Sequence, residues 1–194
     1  MSDTEWANTT MGAYGIYTYG DIEGIDSDEQ MVDAYGKLYN WYAVDDGRGL
    51  CPSGWHVPSE EEWTAMENYL IYSLGYTNEF DDPEAIGNVL KAARQVGHEW
   101  GGEHDTEEHP RWKYAISETS TGMDVFGFSL FPAGRRHYNG GFFDLGSQAQ
   151  LWLSTENTPE FSEVRTVLTS LGFISKSGYL KGNGYSVRCI KSSN

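Results

Sequence analysis

Apolar residues recur at helical spacing after Ser59: Trp63, Met66, Leu70 and Leu74 share one face. Ser59 with Glu62 three residues on forms a capping box, and Gly75 offers a stop, so the pattern predicts a helix between them. Trp55 and Val57 alternate just ahead of it, as a short strand does. Asp82 and Pro83 open a second helical pattern, with Ile86, Val89, Leu90 and Ala93 as its stripe and Gly97 at its end. Residues 98–125 read as loop. Phe126–Pro132, Leu151–Ser154, Val164–Leu168, Gly172–Ser175 and Tyr185–Ile190 are then short strand candidates, separated by Gly, Asn and Ser. Two helices followed by strand-and-loop sequence predict an α+β fold.

Ahead of Ser59 the pattern is weaker. Tyr14, Ile16 and Thr18 would share one face of a short strand. Residues 35–44 are aromatic and apolar, and periodicity does not decide between strand and short buried helix.

With 194 residues, 39% hydrophobic and 14% aromatic, the chain suits one domain over 1–194, with 1–34 as an acidic extension. A formal charge of −16 argues against nucleic acid as a partner. No run is apolar enough for membrane insertion, and no signal peptide is visible. The charge is uneven. Residues 127–190 carry six Lys/Arg and four Asp/Glu, a net of +2, so the last third faces different chemistry from the rest. Cys51 and Cys189 are compatible with one disulfide or with two buried thiols.

Four constellations bear on chemistry. His98, Glu99, Glu103, His104, Asp105, Glu107, Glu108 and His109 crowd one segment, but their spacing matches no metal motif, so a solvated loop without metal is expected. His56 and His137 could serve as bases, yet no nucleophile elbow exists, and His56 reads as a hydrogen-bonded structural histidine. Glu60, Glu61 and Glu62 point in different directions around one helical turn, which suits the helix dipole rather than acid–base work. The fourth is Gly134–Phe143 followed by Ser147–Trp152, where Arg, His, Tyr, Phe, Gln and Trp stand among glycine turns, as binding surfaces do.

The runs Tyr35–Val44, Leu50–Pro58 with Glu62 and Trp63, Gly127–Gly134 and Gly184–Ile190 resemble the Fibrobacter succinogenes major paralogous domain, in order over 35–191. A loop insertion at 101–117 departs from it. Val57-Pro58-Ser59-Glu60 with Trp63, and Gly184–Arg188, also resemble formylglycine-generating, sulfatase-modifying domains. Those enzymes use a C-terminal cysteine pair, whereas Cys189 is the single cysteine in that half, so the resemblance implies no enzyme and no cofactor. Both families imply a C-type-lectin-like fold, in which the first helix and last strand are adjacent and often bridged. The resemblance therefore implies a Cys51–Cys189 disulfide.

The chain also resembles variable proteins of diversity-generating retroelements, which display a mutable C-terminal segment on a lectin-like scaffold. That implies a ligand- or receptor-binding protein whose surface comes from 127–188. Its expected contact residues are Arg135, His137, Tyr138, Phe143, Gln148, Gln150, Leu151, Leu153, Leu168, Leu171, Phe173, Tyr179 and Leu180. Alternation places most of these on one solvent-facing surface and buries Trp55, Trp63, Phe142 and Trp152. The implied partner is a protein or glycan receptor, met outside the cell, at a cell surface or on a virus particle. An enzyme of the formylglycine-generating type and a structural adhesin domain are the alternatives.

Overall fold

A computed structural model describes residues 1–20, 22–96, 106–113 and 120–193. Side-chain caps set where its chain turns helical. Ser2 and Glu5 close a capping box on α1 (Asp3–Asn8). Ser27 Oγ accepts from the Gln30 amide at the head of α2 (Asp28–Tyr35). Asn40 caps α3 (Trp41–Val44). Ser59 and Glu62 close the expected box on α4 (Glu60–Asn68), which widens into a π-helical turn over Tyr69–Ser73. Each side-chain oxygen takes up an amide that the first helical turn leaves unpaired.

The second expected helix is cut short. α5 covers only Ile86–Leu90. Lys91 leaves the helix to bridge Leu130 in parallel, and Asp82 accepts from the Glu84 amide and the Thr77 hydroxyl instead of capping α5. Residues 35–44 hold both alternatives in turn, β2 (Leu38–Tyr39) and then α3. β2 pairs with β1 (Tyr14–Gly15).

The remaining strands are β3 (Trp55–His56), β4 (Arg135–Arg136), β5 (Phe142–Phe143), β6 (Gln148–Glu156), β7 (Phe161–Leu168), β8 (Ser175–Leu180) and β9 (Ile190–Lys191). They form three antiparallel sheets, β3–β9, β4–β5 and β6–β7–β8. Helices packed on small antiparallel sheets make this an α+β fold. Phe126–Pro132 is not a strand; only Leu130 pairs, with Lys91.

The three-stranded sheet is covered on both faces. Ala149, Leu151, Leu153 and Val167 pack with Trp63 and Leu70 of the α4 stretch and with Ile86 and Leu90 of α5. Trp152 and Val164, on the opposite face, pack with Trp41 of α3 and with Tyr185. A third cluster joins Met31 and Tyr35 of α2 to Leu38, Ala133 and Leu145.

Lys91 joins the α5 end to two loops. Its ammonium is buried and donates to Asn88 Oδ1 (3.1 Å), Ser120 O (2.9 Å) and Leu171 O (2.7 Å). Burial pushes its pKa down to about 7.

Cys51 and Cys189 are bonded, with Cα atoms 5.9 Å apart and a sequence separation of 138. The β3–β9 ladder lies alongside, pairing Trp55 with Lys191 and His56 with Ile190. Trp55 is exposed, contrary to expectation, because this two-stranded ladder leaves its side chain toward solvent; Val57 is the buried member of the pair. Trp63 and Trp152 are buried, and Phe142 is half-buried.

Candidate functional site

The hairpin β4–β5 obeys the alternation that the sequence suggests. Arg136 pairs with Phe142 and Arg135 with Phe143 across the two strands. Neighbouring residues in a strand point to opposite sides, so Arg136 and Phe142 turn inward while Arg135 and Phe143 turn outward.

The inward pair is clamped. The Arg136 guanidinium lies 4.4 Å from the Trp6 ring centre and 4.8 Å from that of Phe142. Its Nε donates to Gly140 O at 2.9 Å. Its Nη2 donates to Met1 O at 3.1 Å and to Asp3 Oδ1 at 3.2 Å. Phe142 in turn meets Tyr17 at 5.2 Å. Planar guanidinium packed on aromatic faces is favourable and stiff.

The outward side presents aromatic area. Tyr138 is 48% exposed and Phe143 45%. The His137 ring lies 4.2 Å from Tyr138 and 6.1 Å, edge-on, from Phe143. Arg135 reaches Asp144 at 2.9 Å, at an angle too oblique for a hydrogen bond, and lies 5.8 Å from the Phe143 ring centre. Behind it the Tyr185 hydroxyl sits between Arg135 and Asn183 without a hydrogen bond of good geometry among the described residues. Burial, with Tyr179 beside it, raises the Tyr185 pKa well above the usual phenol value.

β8, the turn after it and the start of β6 supply the neighbours. Asn183 Oδ1 accepts from the Tyr138 amide at 2.8 Å, and the Asn183 amide donates to Leu180 O. The Tyr179 ring stands 5.5 Å from Tyr185. Gln148 sits at the hairpin root, where its carbonyl accepts from the Gly134 amide. The structure thus gathers Arg135, His137, Tyr138 and Phe143, with Tyr179 and Leu180 on the side of Tyr185 and Asn183, and Gln148 apart from them at the hairpin root.

It does not gather the rest. Gln150, Leu151 and Leu153 are core residues of β6, not surface. Alternation exposes every second residue only where one face of a strand is solvated, and here α4 and α5 cover one side while α3 and Tyr185 cover the other. Leu168 pairs with Gln148 and Tyr179 with Ser162. Those partners, Leu168 and Ser162, stand six positions apart along β7, roughly 20 Å at strand spacing. Leu171 supplies a carbonyl to Lys91, and Phe173 packs on Phe80. Leu171 and Phe173 lie by α5, away from the hairpin, while Leu168 lies at the Gln148 end of β7, far from Tyr179.

A separate apolar face escaped the sequence reading. Tyr69, Tyr72 and Leu74 are exposed on and just beyond the π-helical turn, and Phe126 stands exposed against Tyr76 at 6.0 Å. The signal was present in the run Tyr69-Leu70-Ile71-Tyr72, which holds more apolar residues than one buried stripe needs.

Of the His/Glu-rich segment, 98–105 lies outside the described residues, as do 101–105 and 114–117 of the expected insertion. Glu107 pairs with Arg111 and Glu108 with Arg94. His109 Nε2 donates to Glu23 O at 3.2 Å, so its Nδ1 accepts from the Tyr35 hydroxyl at 2.7 Å. Burial, with Arg111 nearby, lowers the His109 pKa. A cleft of about 740 Å³ opens beside them, lined by Tyr17, Tyr35, His109, Arg111, Lys113 and Asp144. Among the described residues no group of three His, Cys, Asp or Glu converges to hold a metal ion.

His56 Nε2 donates to Glu62 Oε1 at 2.8 Å and its Nδ1 meets Ser192 Oγ at 2.9 Å. This ties β3 to α4 and to the chain after β9, a bracing role.

Fold and hairpin together define a disulfide-closed α+β domain that carries an aromatic–arginine face. Residues 10–191 match the Fibrobacter succinogenes major domain, and the chain belongs to that family. No curated protein and no solved structure matches the chain.

Proposed function

We propose that this domain is a non-enzymatic ligand- or receptor-binding protein whose contact face is the outer side of β4–β5. The observation that carries the reading is the pairing of an exposed aromatic face with a rigid base. Tyr138, His137 and Phe143 face solvent, while Arg136, one residue along the chain, is locked between Trp6 and Phe142. Exposed aromatic area on a stiff support loses little side-chain entropy on binding, which is what hot spots need.

The scaffold is C-type-lectin-like in this reading. Support comes from the Cys51–Cys189 bridge and the β3–β9 ladder, which join the approach to α4 to the last strand. A variable segment of the diversity-generating-retroelement type would then be confined to the exposed part of 127–188, chiefly 135–143. The partner is a protein or glycan receptor on another cell or particle. The disulfide supports a setting outside the reducing cytosol. With Cys189 held in that bridge, a formylglycine-type oxidation has no free thiol at this position to use.

The test is a protein and glycan array screen with the oxidised chain, followed by Tyr138→Ala and Phe143→Ala. Each substitution should weaken capture by about 1–2 kcal/mol or more, with the unfolding midpoint nearly unchanged. A ligand bound equally by both variants would overturn this assignment of the face.

A further inference from the structure

α1 lies before the family-matched residues 10–191, yet Trp6 is among the most deeply buried side chains, at 1% exposure. The helix supplies its own N-cap, since its capping box uses only Ser2 and Glu5. Of its six residues Trp6 is the buried one. Its attachment to the rest of the domain is concentrated in Trp6, Asp3 and the Met1 carbonyl, all on Arg136.

The groove that receives these groups is shaped by missing side chains. A Cβ on Gly184 would come within 3.0 Å of the Trp6 ring. A Cβ on Gly140 would come within 2.4 Å of the Asp3 Cα. The floor holds without α1: Arg136 Nε bonds Gly140 O, its guanidinium stacks on Phe142, and the Arg136 backbone pairs with Gly184. The chain is fixed again at Asn40, which accepts from the Ala13 amide and donates to Met11 O. Thr9 and Thr10 are left as the hinge. The fit is also incomplete, because Trp6 Nε1 is buried with no hydrogen-bond partner among the described residues. An unpaired buried donor lowers the cost of leaving.

We propose that the groove between Arg136, Gly140 and Gly184 is a recognition site for a short acidic helix bearing Asp three residues before Trp, and that it takes this segment from a second copy of the chain as well as from its own. The Trp ring fills the notch over Gly184 and stacks on the guanidinium, while the Asp carboxylate meets Nη2. Exchange of one short element across a hinge is an economical route to a dimer. The site is independent of what the outer face of the hairpin binds.

The test offers the free peptide Met1–Thr10, with a fluorotryptophan at Trp6, to the full-length Trp6→Ala chain, read by fluorine NMR. Saturable binding is expected. The wild-type chain should bind at least about tenfold more weakly, because its own segment competes at the roughly millimolar effective concentration of a short tether. A peptide carrying Trp6→Ala or Asp3→Asn should lose binding. No binding to a Trp6→Ala chain that still unfolds cooperatively overturns the proposal, as does equal binding of the substituted peptides. Trp6→Leu, which keeps apolar volume in the groove, replaces Trp6→Ala if that variant does not fold. Mixing Trp6→Ala with Gly140→Val, one chain with an open groove and one with a blocked groove but an intact donor helix, should yield a one-to-one heterodimer by light scattering. If both chains fold and remain monomeric when mixed, exchange between copies is excluded.

Discussion

Leu151 and Trp152 are consecutive in β6 and are both interior, at 5% and 0% exposure on opposite faces of one strand. Leu151 meets the α4 and α5 side and Trp152 meets Trp41 and Tyr185. Leu151→Ala should therefore cost about 2–5 kcal/mol of stability by leaving a cavity. Leu153→Ala should behave likewise. Denaturant unfolding checks this, and a wild-type midpoint in either variant would place the residue at the surface.

Opening the Cys51–Cys189 bridge should be costly. In the chain-entropy treatment a closed loop of this size stabilises the fold by about 4–5 kcal/mol. The double substitution Cys51→Ser, Cys189→Ser should lower the thermal midpoint by many degrees, and reductant should do the same to the parent but not to the variant. Calorimetry with and without reductant makes the comparison.

Some of this architecture was legible and some was not, for identifiable reasons. The α4 cap is a local device, so Ser59 and Glu62 announced it. The same Ser-x-x-Glu signal at Ser2 and Glu5 marks α1 but is followed by a polar sequence with one Trp, so apolar periodicity gave it no support. α5 stops at Leu90 because Lys91 meets Leu130, forty residues of context that a helical stripe cannot contain. The run Ala149-Gln150-Leu151-Trp152-Leu153 is nearly continuous in apolar character, the mark of a strand covered on both sides. The alternation that placed Arg135 and Phe143 outward was sound because a two-stranded hairpin has one face free.

Lys91 makes stability depend on pH in a defined direction. Its folded pKa is lowered to about 7 from an ordinary value of 10.5, by burial. Between these values the unfolded chain binds the extra proton, so stability should rise with pH from about 7 upward. The buried tyrosines Tyr35 and Tyr185 have raised pKa values and act only above their ordinary value of 10. Unfolding measured at pH 7, 8 and 9 should thus show a rise in the parent that Lys91→Met lacks. Equal pH slopes in the two proteins would contradict the assignment.

His109 works on the acid side. Burial and Arg111 lower its folded pKa below the ordinary 6.5. Its stabilising contribution is complete above that value and falls away as pH drops through 6.5 toward the folded pKa. His109→Gln keeps a polar group near Tyr35 but does not titrate, so it should flatten the part of the stability profile just below pH 6.5. Thermal midpoints across that window for both proteins provide the check.

The disulfide also divides the molecule topologically. Residues 51–189 form a covalent ring, and α1, α2 and α3 hang outside it. A single backbone cut anywhere within the ring leaves every residue still joined in one molecule. A single cut between α3 and Cys51 instead severs a fragment held only by its packing, with Trp6, Met31 and Trp41 as its principal anchors. Wear by proteases would fall unequally on this chain: the hairpin could be nicked without being lost, while the segment that braces it from below could be shed.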